Sequence, residues 1–168
     1  ADAPTPKAMV ADNDLALGRI IAALSRSPFW KSTAVFVLED DAQNGPDHVD
    51  SHRSPMLVIS PWTKGGVMHR FANTTDVLRT IEELLGLDAL SQFDHFGRPL
   101  REIWRTTPDL RPYDVLTPAT PLTEKNPSRT AGAAASARLR FDVEDMADED
   151  AFNRILWLAA KGPNAPYP

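Results

Sequence analysis

Apolar and polar positions alternate in this chain with two periods. Leu17, Ile20, Ile21 and Leu24 recur at the spacing of one helix face. Upstream, Thr5-Pro6 supplies an N-cap and a proline at the first helical position, and downstream Ser27-Pro28 stops the helix. An amphipathic helix is therefore predicted over residues 6–25. Thr33-Ala34-Val35-Phe36-Val37-Leu38 is short, continuously apolar and β-branched, the pattern of a strand buried on both faces of a parallel sheet. Met56-Leu57-Val58-Ile59 repeats it after a polar stretch. Leu78, Ile81, Leu84 and Leu85 then form a helical stripe, with Thr75 or Thr74 placed to cap it and Gly86 at the C-cap. Helix, buried strand, loop, buried strand, helix is the order of an α/β fold with a parallel sheet.

The pattern changes beyond about Thr107. Residues 108–130 are rich in Pro, Thr and Asn and read as irregular chain. Ala137, Leu139 and Phe141 alternate with Arg138, Arg140 and Asp142, which predicts a half-buried late strand. Residues 148–161 predict a final helix with Phe152, Ile155, Leu156 and Ala159 on one face. Its acids lie at the start and its lysine at the end, as the helix dipole favours.

Composition narrows the class. A chain of 168 residues can bury one real core, and its mean hydropathy of −0.31 is that of a water-soluble globular sequence. No apolar run approaches the roughly 18 residues of a membrane span. A net charge of −5 gives no electrostatic footprint for nucleic acid. The absence of cysteine removes disulfides, thiolate metal sites and cysteine nucleophiles together. Many of the 15 prolines fall between Pro99 and Pro127 or among the last residues, which predicts an extended, wrapping tail. The start shows neither an initiator Met nor a signal segment, so a processed chain or a fragment is expected.

Chemistry concentrates in the segment from Glu39 to His52. Glu39, Asp40 and Asp41 directly follow the first predicted strand, where ligand sites of parallel α/β sheets lie. Adjacent carboxylates repel unless a cation sits between them. His48 and His52 add imidazole donors, and oxygen with imidazole suits Zn²⁺, Mn²⁺ or Fe better than Mg²⁺ alone. The plain alternative is a solvated acidic loop with surface histidines. An EF-hand loop counted from Asp40 fails at Ala42 and at the closing Ser51. A Ser51-His52-Asp50 triad fails because neighbours on one loop rarely reach triad geometry, and no Gly-x-Ser-x-Gly elbow is present. His69 and His95 lack partner patterns and read as structural or surface residues.

Several pieces now occur in one order: Asp40-Asp41, Gly45, Asp47-His48-Val49, Arg53-Ser54-Pro55, the strand from Met56, Ser60-Pro61-Trp62, Lys64-Gly65-Gly66 and Leu78-Arg79-Thr80-Ile81-Glu82. Together they resemble the phosphoesterase family that holds bacterial phospholipases C and related acid phosphatases, within the alkaline phosphatase superfamily. The likeness is tight over residues 8–107 and looser over the tail. The whole chain resembles the end of bacterial proteins in which such a phosphoesterase follows a β-propeller-like domain.

The resemblance implies the C-terminal part of an alkaline-phosphatase-like sandwich, a largely parallel sheet covered by helices. Residues 1–107 are then the core portion and residues 108–168 a wrapping extension. It implies a pair of divalent ions (Zn, Mn or Ca) in the complete enzyme. Asp40, Asp41 and His48 are the ligands carried over, with His52 as a further one. No catalytic nucleophile is expected in this chain, because the family's metal-bound Ser or Thr, and an Asp-x-x-x-His ligand pair, belong to an upstream portion. That N-terminal portion is the expected partner, a phosphate ester the expected substrate, and the periplasm or exterior the expected location. Thr74 stands where the phospholipase and acid phosphatase branch often has a histidine, so that branch's substrate preference does not transfer. Two readings remain beside the hydrolase: a non-catalytic metal- or partner-binding module, and a sulfatase-like member of the superfamily.

Overall fold

The computed structural model describes residues 4–39, 54–127, 129–140, 143 and 146–168. Among these the chain is mixed α/β, with five α-helices and one pair of strands. The helices are α1 (Pro6–Ser25), α2 (Thr74–Leu85), α3 (Gln92–His95), α4 (Ala133–Ser136) and α5 (Glu149–Lys161), and the strands β1 (Val35–Leu38) and β2 (Met56–Ile59). The chain divides into one unit of Ala1–Ser27, Leu38–Met56 and Pro112–Pro168, and another of Pro28–Val37 and Leu57–Arg111.

In the first unit α1 begins as the sequence predicts. The Thr5 hydroxyl accepts from the Ala8 N–H at 3.1 Å, and Pro6 loses nothing at a position with no helical partner. Its buried face differs from the predicted stripe, because Ile20 is exposed while Ala8, Ile21, Ala22 and Ser25 are buried. Ala8, Ala11, Leu15, Gly18, Ala22 and Ser25 recur at alternating steps of three and four, so mostly small side chains form the covered stripe.

The proline-rich segment straps this helix from end to end. At the C-terminal end the Tyr113 N–H donates to Ser25 Oγ at 2.9 Å, and Arg26 donates to the Tyr113 carbonyl and the Asp114 carboxylate. At the N-terminal end Thr5 N–H donates to the Glu124 carbonyl at 3.0 Å, and Asn126 Nδ2 to the Pro4 carbonyl at 3.1 Å. A helix of 20 residues is about 30 Å long, a span that the residues from Tyr113 to Glu124 cover only when extended.

The late strand predicted at Ala137, Leu139 and Phe141 is not formed over its described part. Ala133–Ser136 is helical and residues 137–139 form a turn, with the Ala137 N–H donating to the Ala133 carbonyl at 3.0 Å; Phe141 and Asp142 lie outside the described residues. The alanine run has the highest helix propensity, and this outweighs a weak alternation. Gly132 (φ 87°) turns the chain into α4 against Ile155 of α5. Helix α5 matches its prediction, capped by Asp148, whose carboxylate accepts from the Ala151 N–H at 2.8 Å.

The expected strand arrangement is corrected. β1 and β2 pair antiparallel, and neither is buried on both faces: Leu38 is 38% and Leu57 48% exposed. Continuous apolar runs do not reveal strand direction, and two strands leave edges and faces that burial on both sides requires to be covered.

Helix α2 is capped by Asn73, one residue before the predicted Thr74, with its side-chain oxygen accepting from the Asp76 N–H at 3.0 Å. It ends at Gly86 (φ 67°), as predicted. Its buried residues are Asp76, Val77, Thr80 and Glu82, while Leu84 and Leu85 of the predicted stripe are exposed. The reason is the segment after α3. Leu100 is fully buried there, and its N–H donates to Thr80 Oγ1 at 2.9 Å. Thr80 in turn donates to the Asp76 carbonyl, and the Asp76 carboxylate accepts from the Arg98 N–H at 2.6 Å and from Arg70 Nη1 at 3.3 Å. Gly97 permits the close approach, since a Cβ there would meet the Thr75 carbonyl at 2.8 Å and the Arg79 Cβ at 3.1 Å.

Thr80→Val keeps the shape but leaves the buried Leu100 N–H without an acceptor. A loss of about 1–3 kcal/mol is expected in urea unfolding, with Thr80→Ser much closer to the unsubstituted protein.

Candidate functional site

Asp40, Asp41, His48 and His52, the predicted metal ligands, lie outside the described residues. What is described is the frame on either side of them. Strand β1 delivers the chain at exposed Glu39, and Ser54-Pro55 return it to β2, with the Glu39 N–H donating to the Pro55 carbonyl at 3.4 Å. The acidic segment therefore leaves and rejoins the sheet at one end of an antiparallel pair. Among the described residues no group of three or more His, Asp or Glu gathers as metal ligands do. His69 and His95 are exposed, in keeping with a surface role.

The motifs after β2 have structural work at the opposite strand end. Ser60 is 4% exposed, donates from Oγ to the Thr33 carbonyl at 2.8 Å, and accepts from the Trp62 N–H at 3.2 Å. The indole N–H of Trp62 donates to the Lys31 carbonyl at 2.8 Å. Ser60-Pro61-Trp62 thus ties the end of β2 to the entry of β1. Gly65 (φ 73°) and Gly66 (φ 99°) supply a left-handed turn that few side chains would adopt. The preceding Lys64 is fixed twice to the segment 101–105, through its N–H to the Ile103 carbonyl at 2.8 Å and through Nζ to the Glu102 carbonyl at 2.7 Å. Arg105 N–H returns to the Trp62 carbonyl at 2.8 Å.

These tethers leave a groove of about 870 Å³ wholly within the second unit. Phe36, Trp62, Ile81, Leu84, Leu85 and Trp104 supply its apolar surface, and Ser60 and Arg105 are among its polar groups. Ile81, Leu84 and Leu85 of the predicted apolar stripe of α2 form one wall of this groove.

The charged residues around the groove's supports are mutually paired. Arg70 reaches Glu102 and Asp76 and donates to the carbonyls of Phe71, Arg98 and Pro99. The Glu102 bond, strongest among these influences, raises the Arg70 pKa and lowers that of Glu102. Arg111 grips Asp109 through Nε and Nη2 and holds its carboxyl at about 2, while the Asp109 N–H donates to the Pro61 carbonyl at 2.8 Å. A lowered carboxyl stabilises the fold above the ordinary carboxylate range and loses that contribution as pH falls towards 2. Arg70, Trp104 and Arg105 escaped the sequence reading because isolated Arg and Trp residues carry no spacing signal.

Residues 4–88 match the phosphoesterase family, half of the chain and a span that includes the acidic segment, both strands and all of α2. The chain belongs to the phosphoesterase family. No curated protein matches it.

Ser60→Ala removes the donor to Thr33 and the acceptor for Trp62 in one step. Thermal unfolding should report a loss of about 1–3 kcal/mol, accompanied by a red shift of tryptophan emission as Trp62 loosens.

Proposed function

We propose that the chain forms the C-terminal portion of a metal-dependent phosphoric ester hydrolase, acting on a phosphomonoester or phosphodiester. The observation that carries this reading is the family membership across residues 4–88. A hydrolase of this family needs anionic and imidazole donors at a strand end, and Asp40 and Asp41 follow β1 directly in sequence.

In this reading Asp40, Asp41 and His48 hold divalent metal, with His52 as a fourth donor. The donor set fits such ions, since two carboxylates offset divalent charge and imidazole adds affinity for Zn²⁺ or Mn²⁺. A bound ion supplies Lewis-acid stabilisation of the phosphoryl oxygens and of the attacking group. The chain's own contribution is to carry these donors between β1 and β2, whose pairing holds both ends of the ligand segment together. Ser60 and Trp62 fix the opposite ends of the same strands. The nucleophile comes from the N-terminal portion of the same enzyme, which is the partner this reading requires. A periplasmic or extracellular location accompanies it.

Asp40→Asn and His48→Ala, each made in the protein joined to its N-terminal portion, should lower p-nitrophenyl phosphate or diester hydrolysis at least about 100-fold. Metal content by elemental analysis should fall with them. Full activity and full metal content in both variants would remove the assignment. Turnover by the 168-residue chain alone would refute the external nucleophile.

A further inference from the structure

The groove of the second unit holds a single charged side chain. Arg105 alone among its lining residues carries a charge, and the others are apolar or uncharged. Its volume of about 870 Å³ lies in the range of small-molecule sites, about 300–1,000 Å³. Most of its other polar groups are engaged. Ser60 Oγ is bonded to both Thr33 and Trp62, and the hydroxyls of Ser32 and Thr33 donate to the Phe29 carbonyl at 3.2 and 2.8 Å. The indole N–H of Trp62 is held by the Lys31 carbonyl. Phe36, Trp62 and Trp104 make no ring-to-ring contact among the described residues.

A guanidinium offers five N–H donors. Among the described residues Arg105 uses one side-chain donor, Nη2, to the Lys64 carbonyl at 3.3 Å. Asp109 is the carboxylate that stands nearby, with Oδ2 3.9 Å from Nη1, too far for a hydrogen bond. That carboxylate is already gripped by Arg111 through Nε and Nη2, the main reason that it titrates at about 2. Other acids of the second unit are matched as well: Asp76 and Glu102 by Arg70, and Glu83 by Arg101. Lys64 Nζ rests on an uncharged acceptor, the Glu102 carbonyl, and so adds positive potential. Arg105 is left with surplus positive charge and free donors in a partly sheltered place, its side chain 34% exposed.

We propose that this groove binds an aromatic carboxylate, its ring system against Trp62 and Trp104 and its carboxylate on Arg105. An aromatic ligand gains from offset or edge contact with indole rings beyond the apolar area it buries. A carboxylate matches the guanidinium fork through two parallel N–H bonds, which an uncharged group does not reproduce. Leu84 and Leu85 are 52% and 66% exposed, so a ligand lying over them removes apolar surface from water. The site uses none of Asp40, Asp41, His48 and His52. It therefore goes beyond the hydrolase reading and does not rest on it.

Isothermal titration calorimetry with 2-naphthoate tests the site, with EDTA present so that bound metal cannot contribute. One-to-one binding is expected. 2-Naphthamide, of the same shape without the charge, should bind at least about 10-fold more weakly. Arg105→Gln should weaken 2-naphthoate by a similar factor and leave 2-naphthamide unchanged, a pattern that general loss of folding would not give. Leu84→Glu keeps Arg105 but puts an anion into the groove wall, and should weaken 2-naphthoate more than 2-naphthamide. Decanoate, an anion on a flexible chain, should bind more weakly than 2-naphthoate because its chain must be ordered. No binding of 2-naphthoate, equal affinity for the amide, tighter binding of decanoate, or unchanged 2-naphthoate affinity in either variant would overturn the proposal.

Discussion

The hydrogen bonds from the inner side of α2 to the chain after α3 decide how the second unit is built. Leu100 is buried completely only because its N–H meets Thr80 Oγ1, and the same turn of α2 offers the Asp76 carboxylate to the Arg98 N–H. A buried N–H without an acceptor costs about as much as burying a modest apolar side chain contributes. The polar face of α2 is therefore drawn inward. Leu84 and Leu85 turn to the groove, beside Trp62 and Trp104.

The same constraint organises what surrounds it. With Arg98 and Leu100 fixed, Arg70 can bridge Asp76, Glu102 and the carbonyls of Arg98 and Pro99. Segment 101–105 then lies where Lys64 and Trp62 can hold it. Order passes from one buried side of a helix to the strand ends opposite the acidic segment. In the first unit a comparable role falls to the proline-rich strap. Its extended backbone uses the capping groups of α1, Thr5 at one end and Ser25 with Arg26 at the other, as anchors.

Local signals were readable where a single residue type performs a single task. Thr5-Pro6, Gly86 and Asp148 mark helix ends because caps and left-handed turns are chemistry of one or two residues. The ordered motifs from Asp40 to Glu82 were enough for the family, which the match over residues 4–88 establishes. The late strand failed because alternation over a few residues competes poorly with a run of alanine. The Asp40, Asp41, His48 and His52 ligand set rests on those motifs, since the four residues lie outside the described part of the chain.

By itself, then, the sequence determined the helices α1, α2 and α5, the positions of both strands and the phosphoesterase family. Each of these is written in neighbouring residues, through period, cap or motif order. Tertiary structure alone decided that β1 and β2 run antiparallel and that α2 buries Asp76, Thr80 and Glu82 instead of its leucines. Those outcomes depend on partners distant in the chain, Thr80 with Leu100 and Asp76 with Arg98, whose hydrogen bonds outweigh the apolar stripe. A periodic pattern shows which face could be buried, but an unsatisfied donor on another segment decides which face is.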